Sequence, residues 1–168
     1  MLKITKHLCA VLICTLTLTS CSKDTDVLQE QSNLKAEILS DNVSYSNIEL
    51  EILTAVNAHR QSLGLNKLGR IDDITFQAED HTDYMVENKL VNHSDFDKRF
   101  NALVKDVGAS SVSENVGYGY RTAAAVVQAW LASEGHKANV EGDFTHFGIA
   151  VDSDDNGKNY FTNIFVKR

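Results

Sequence analysis

Residues Thr145–Arg168 read THFGIAVDSDDNGKNYFTNIFVKR, and this stretch decides the fold. THFGIAVD alternates, with His146, Gly148 and Ala150 on one face and Phe147, Ile149 and Val151 on the other, the period of a strand. SDDNGKN holds an Asn-Gly turn signal, and YFTNIFVK is the strand that returns. A long antiparallel hairpin therefore ends the chain, and whatever precedes it must cover its faces.

Working back from the hairpin, TAAAVVQAWLASE reads as a helix with Val126, Val127 and Trp130 inward and Gly135 at its end. SVSENVGYGY (Ser111–Tyr120) alternates and then meets two glycines, as a short strand entering a loop does. Phe96–Val107 predicts a short helix with Phe100, Leu103 and Val104 inward and Gly108 as its stop. In DDITFQAEDHTDYMVENKL, Ile74, Ala78, His81 and Met85 recur on one helical stripe, which makes His81 a hydrogen-bonded core residue. SNIELEILTAVNAHRQSLG opens with Ser46 and Glu49 in a capping-box pattern. It places Ile52, Leu53, Val56 and Leu63 on one side and ends at Gly64 in a C′ position. Helices first, a strand between the third and fourth, and a closing hairpin predict an α+β fold, an α-β-α sandwich with a central antiparallel sheet flanked by helices.

The 168 residues suit one domain, and 43% are apolar. MLKITKHLCAVLICTLTLTSC has Lys3 and Lys6 before an apolar run from Leu8 to Leu18, the pattern of a secretory signal and too short for a membrane span. Ser22 to about Tyr45 is polar and acidic and reads as a tether. The division is 1–20 signal peptide, 21–45 cysteine and tether, and 46–168 folded domain. Cys9, Cys14 and Cys21 all precede that domain, which leaves it without a disulfide or a cysteine nucleophile. The formal charge is −7, and loss of Lys3 and Lys6 with the signal makes the remainder more acidic. Such a chain is a poor partner for nucleic acid or anionic headgroups.

Four polar residues sit at element ends or on one strand face: His93, Glu114, His136 and His146. Three imidazoles and a carboxylate suit Zn²⁺, with Glu114 as a possible general base if a coordination position is left to water. The spacing is not that of a compact zinc motif, and a hydrogen-bonded brace between the sheet and the second helix is the alternative. No Ser-His-Asp or nucleophile-elbow pattern occurs. Trp130, Tyr118 and Tyr120 read as packing and loop residues, with the tyrosines able to rim the cleft.

LTSC (Leu18–Cys21) resembles the bacterial lipoprotein box, which implies lipidation of Cys21 and an anchor in a membrane. SKDTD (Ser22–Asp26) resembles the export tag of Bacteroidetes surface lipoproteins, which implies the outer membrane or cell surface. AEDHTDYMVENKLVNHSDF, SENVGYG, AWLASEGHKANV, FTHFGIAV and YFTNIFV resemble, in order and spacing, the motifs of the CAP superfamily (SCP domain) in its disulfide-free bacterial branch. The resemblance covers about Asn47 to Arg168. It implies an open cleft lined by two His and two acidic groups, which in some members holds zinc. Through it His93, Glu114 and His146 take cleft positions; Ser113 replaces the Gly that usually precedes the Glu. Ser133 stands where animal and plant members carry the second acid, leaving His136 first and Glu134 second as substitutes. On this reading the metal set is His93, His136 and His146. Two functions follow: a binding module for a lipid, glycan or protein ligand, or a zinc-dependent hydrolase acting on envelope or peptide material.

Overall fold

The computed structural model describes residues 43–168. The signal peptide, Cys21 and all but the last residues of the tether lie outside the described residues. Among the described residues five helices and four strands follow in the order α1 (Asn47–Ser62), β1 (Gly69–Arg70), α2 (Asp72–Asn88), α3 (Phe96–Val107), β2 (Ser111–Tyr118), α4 (Ala123–Ala132), α5 (Glu134–Val140), β3 (His146–Ser153) and β4 (Asn159–Lys167).

The closing hairpin forms as its alternation requires. Phe147 pairs with Phe165 and Ile149 with Asn163, and β4 continues onto β2 with Glu114 opposite Ile164. Asp154 closes the turn, its Oδ1 accepting from the N–H groups of Asn156 and Lys158, and Gly157 takes the left-handed φ of +69°. The strand order is β1-β3-β4-β2, which makes β2 one edge. The other edge is β1, two residues that pair in parallel with His146 and Phe147 of β3. The sheet is thus antiparallel with a short parallel addition that the sequence pattern does not reveal; two residues are too few to show a period.

Each face of the sheet buries its own core. Ala150, Ile164 and Val166 meet Ile74 and Ala78 of α2 and Leu103 and Val107 of α3. Phe147, Ile149, Phe161 and Phe165 meet Ile52 and Val56 of α1, Val126 and Trp130 of α4 and Val140 of α5. Each fully buried Phe or Ile contributes about 1.5–3 kcal/mol. Gly148 lets α2 lie directly on β3: a Cβ there would stand 2.5 Å from the Thr75 backbone nitrogen.

The helix ends follow local chemistry. The Glu49 carboxylate accepts from the Ser46 N–H and hydroxyl at 2.6 and 2.7 Å, and its other oxygen accepts from the Val151 N–H at 2.8 Å. The capping residue of α1 thereby also ties the helix to β3. Several side chains depart from the periodic reading. Leu63 is 53% exposed because it is the C-cap residue just past the end of α1, and Val104 is 41% exposed because it lies about 100° round α3 from Leu103, off the stripe that faces the core. Arg99 and Val107 are buried on α3 instead. Val43 and Tyr45, assigned to the tether, pack into the core, with the Tyr45 hydroxyl 2.6 Å from Thr75 Oγ1. Gly135 does not end α4. The break is at Ser133, whose extended backbone (φ −101°, ψ 122°) separates α4 from α5.

Candidate functional site

Glu114 projects from edge strand β2 toward α2 and α3 and is buried, with 6% exposure. A buried carboxylate stays charged only if its oxygens are matched by donors. Arg99 supplies two, Nε to Oε2 and Nη2 to Oε1, both at 2.8 Å, the forked geometry of a guanidinium on a carboxylate. His93 Nδ1 lies 2.7 Å from Oε1. Arg99 is fixed in turn by donating Nη1 to the Ser94 carbonyl at 2.7 Å.

The segment carrying His93 is bent by unusual backbone. Lys89 and Asp95 hold left-handed φ values of 54° and 57° although neither is glycine. Each such residue costs about 1–2 kcal/mol, so the surrounding contacts must hold the turn. They include Ser94 N–H to Asn92 Oδ1 at 3.0 Å and His81 Nε2 against the Asn92 carbonyl at 2.8 Å. His81 is 3% exposed, and burial pushes its imidazole below the usual value, so a neutral ring donates its Nε2–H to Asn92. The reading of His81 as a hydrogen-bonded core residue holds. Its Nε2 also lies 3.8 Å from Glu114 Oε1, behind the site.

On the other side of β2, α5 is bolted to the same strand. Asn115 Nδ2 donates to the His136 carbonyl at 3.0 Å, and Asn139 Nδ2 donates to Asn115 Oδ1 at 2.8 Å and to the Glu114 carbonyl at 3.2 Å. This brings His136 near enough to His93 for the charges to interact. Burial first, and then His93, lower its pKa. The His93 ring is half exposed, with Nδ1 committed to Glu114 and Nε2 left for the solvent side. His93, Phe96, Val112, Ser113 and Glu114 line an open depression of about 290 Å³.

His146 is elsewhere. It is the first residue of β3, paired with Gly69 of β1 and Val166 of β4. Strand β4 stands between it and β2, so two strand spacings, roughly 10 Å, separate it from Val112 at the depression. Its Nδ1 lies 2.9 Å from Thr145 Oγ1, and burial first, then Arg168, lower its pKa. Glu134 opens α5 as an exposed residue. The structure therefore joins His93 to Glu114, places His136 within charge range of His93, and leaves Glu134 exposed and His146 two strands away. The three-imidazole metal set does not fit this geometry. Among the described residues no group of three or more His, Cys, Asp and Glu is arranged to hold a metal ion. Trp130 is core, donating Nε1–H to the Val116 carbonyl at 2.9 Å. Tyr118 packs on Tyr160 and Tyr120 on Phe161, away from His93.

Sequence reasoning missed Arg99 and Asn139. A signal existed for each: Arg99 precedes Leu103 and Val107 at four-residue steps on the buried stripe of α3, and Asn139 is one helical turn after His136.

A central sheet between two helical layers, with a His–Glu–Arg cluster on its edge strand, defines an α-β-α sandwich of the SCP type. The model of the cysteine-rich secretory protein family, CAP, matches residues 53–166, and the chain belongs to that family. It is 35% identical over 127 residues to the uncharacterized membrane protein YlbC of Bacillus subtilis, covering 71% of this chain and 34% of that protein. Its fold is similar to that of an outer surface protein from Borrelia burgdorferi (TM-score 0.67, 22% identity, 75% of this chain and 96% of that one). It is likewise similar to an extracellular protein containing a SCP domain from Bacillus anthracis (TM-score 0.63, 22% identity, 77% and 45%). The chain thus spans about a third of the length of YlbC.

Proposed function

We propose that this CAP domain is a binding module held outside the cytoplasm by lipid on Cys21, at the outer membrane or cell surface, and that its ligand docks over His93 and His136. The observation that carries the reading is the way Glu114 is held. Arg99 and His93 place three hydrogen bonds on its two oxygens and the residue is buried, so the acid holds the site in shape behind His93 instead of facing solvent as a free base. The groups left to meet a ligand are the outward ring nitrogen of His93 and the rim formed by Phe96 and Val112. The names of the similar structures, an outer surface protein and an extracellular protein, support the location. The zinc-dependent hydrolase reading would need Arg99 to release Glu114 and a third ligand to replace the distant His146.

The test is binding of the full chain to isolated cell envelope, compared with His93→Ala. Binding that falls at least about tenfold, with circular dichroism unchanged, supports the module. Equal binding by both proteins contradicts it. Metabolic labelling with a fatty acid that persists in Cys21→Ala would remove the anchor from the account.

A further inference from the structure

The polar site borders a sheet edge that is only partly closed. Gly119 donates its N–H to the Asn159 carbonyl at 2.8 Å, continuing the β2–β4 ladder one residue past Tyr118. Antiparallel pairing alternates, so residues 113, 115 and 117 turn their N–H and C=O groups toward β4, while Val112, Glu114 and Val116 turn theirs outward. Two of those outward carbonyls are covered. Asn139 caps that of Glu114 and the Trp130 indole that of Val116. Val112 receives no such cover among the described residues, and it lies on the depression beside Phe96 and His93.

We infer that this opening takes the main chain of an extended peptide, which adds a short strand antiparallel to β2. The inference rests on the binding reading above and names its ligand class. A peptide residue opposite Val112 exchanges both main-chain hydrogen bonds with it, and its side chain falls on the Val112 face, against Phe96, which calls for an aliphatic group. The residue two positions earlier in the peptide falls beside His93. With Nδ1–H given to Glu114, the ring in its neutral form offers Nε2 as an acceptor and selects a hydroxyl or amide donor. The Asn139 cap ends the opening at Glu114, leaving about 10 Å of free edge from Ser111. With α3 packed on one face of β2 and α5 on the other, this free edge is only about three residues long, which suits one short extended chain better than the longer strand pairing of a second folded copy.

The probe is acetyl-Thr-Gln-Val-Gln-Lys-amide, followed by ¹⁵N–¹H spectra of the full chain. On saturation the Val112 N–H resonance moves downfield and its hydrogen exchange slows at least about tenfold, roughly the protection of one new ladder bond. The same peptide with an N-methylated valine binds at least about tenfold more weakly. Val112→Pro does likewise while the other amides keep their positions, because an edge strand accepts proline where the N–H points outward. The inference is overturned if the Val112 amide is unmoved at about 1 mM peptide, or if the N-methylated peptide binds equally. It is also overturned if Val112 is protected in a concentration-dependent way without peptide, which would assign the edge to a second copy. A His93 shift with an unmoved Val112 amide sinks the strand docking and leaves the binding module standing. Loss of the module itself reads out separately, in the envelope experiment with His93→Ala.

Discussion

The sheet has two edges, each with a histidine beside it, and the two have little else in common. At the β2 edge His93 faces a buried carboxylate that Arg99 grips with two hydrogen bonds, and α5 holds a second imidazole, that of His136, within range of the His93 charge. At the β1 edge His146 meets a threonine hydroxyl, a glycine and the Arg168 charge, with no carboxylate in contact among the described residues. Residue type is the same; charge environment differs because strand order places β4 between them. A histidine becomes part of a site through what the topology sets around it.

The largest difference between the edges is expected for Arg99→Ala. It leaves Glu114 buried without its main counter-charge and costs about 3–5 kcal/mol in chemical denaturation. The double variant Arg99→Met with Glu114→Leu recovers most of that loss, since an apolar pair needs no ion pairing. Loss below about 1 kcal/mol in Arg99→Ala would mean that Glu114 is solvated and the β2 edge is no different from the other.

Next come two glycines. Gly148→Ala drives a Cβ into the α2 backbone at 2.5 Å and costs about 3 kcal/mol. Gly69→Ala meets chiefly the His146 ring, at 3.1 Å, and a side chain at an edge can move aside for under about 1 kcal/mol. Equal melting points for the two variants would break the comparison between the packed centre of β3 and its loose edge.

How much of this was legible is best judged on the same residues. Alternation in Thr145–Arg168 and the stripes of α1, α2 and α4 place the sheet and its layers, because burial of period 2 or 3.6 is written directly in residue order. The pairing β1-β3-β4-β2 is not, and with it goes the position of His146: a strand's face can be read from one strand, its neighbours cannot. The split between α4 and α5 was hidden for a local reason, since Ser133 is no helix breaker by type and Gly135, which is, lies inside α5. Arg99 was hidden by chemistry. A charged residue on an apolar stripe looks like an error in the stripe until its carboxylate partner, 15 residues on, is brought to it.

Smaller effects sharpen the contrast further. His93→Ala removes one charge-assisted bond at a half-exposed position and costs about 1 kcal/mol, whereas His146→Ala costs less. Heat released on zinc titration, whatever its size, is the same for wild type and His146→Ala; a loss confined to His146→Ala would return that residue to the site. The pH dependence is smallest. His81, His136 and His146 all lie below the ordinary imidazole value of 6.5, burial being the first cause in each. The unfolded chain therefore binds protons more readily, and stability is full above about pH 6.5 and declines as the pH falls from there toward the folded values. Glu79 and Asp83, raised by burial and by neighbouring acids, act in the opposite sense at lower pH. A melting temperature that rises as the pH is lowered from about 7.5 to about 5.5 would contradict this order.

The most direct measurement is the ¹⁵N titration of the histidine side chains in wild type, His93→Ala and His146→Ala. If His93 and His136 share one site at the β2 edge, His93→Ala raises the pKa of His136, because a repelling charge and part of its cover are gone, and leaves that of His146 where it was. A His136 titration that ignores His93→Ala and moves with His146→Ala instead would contradict the account.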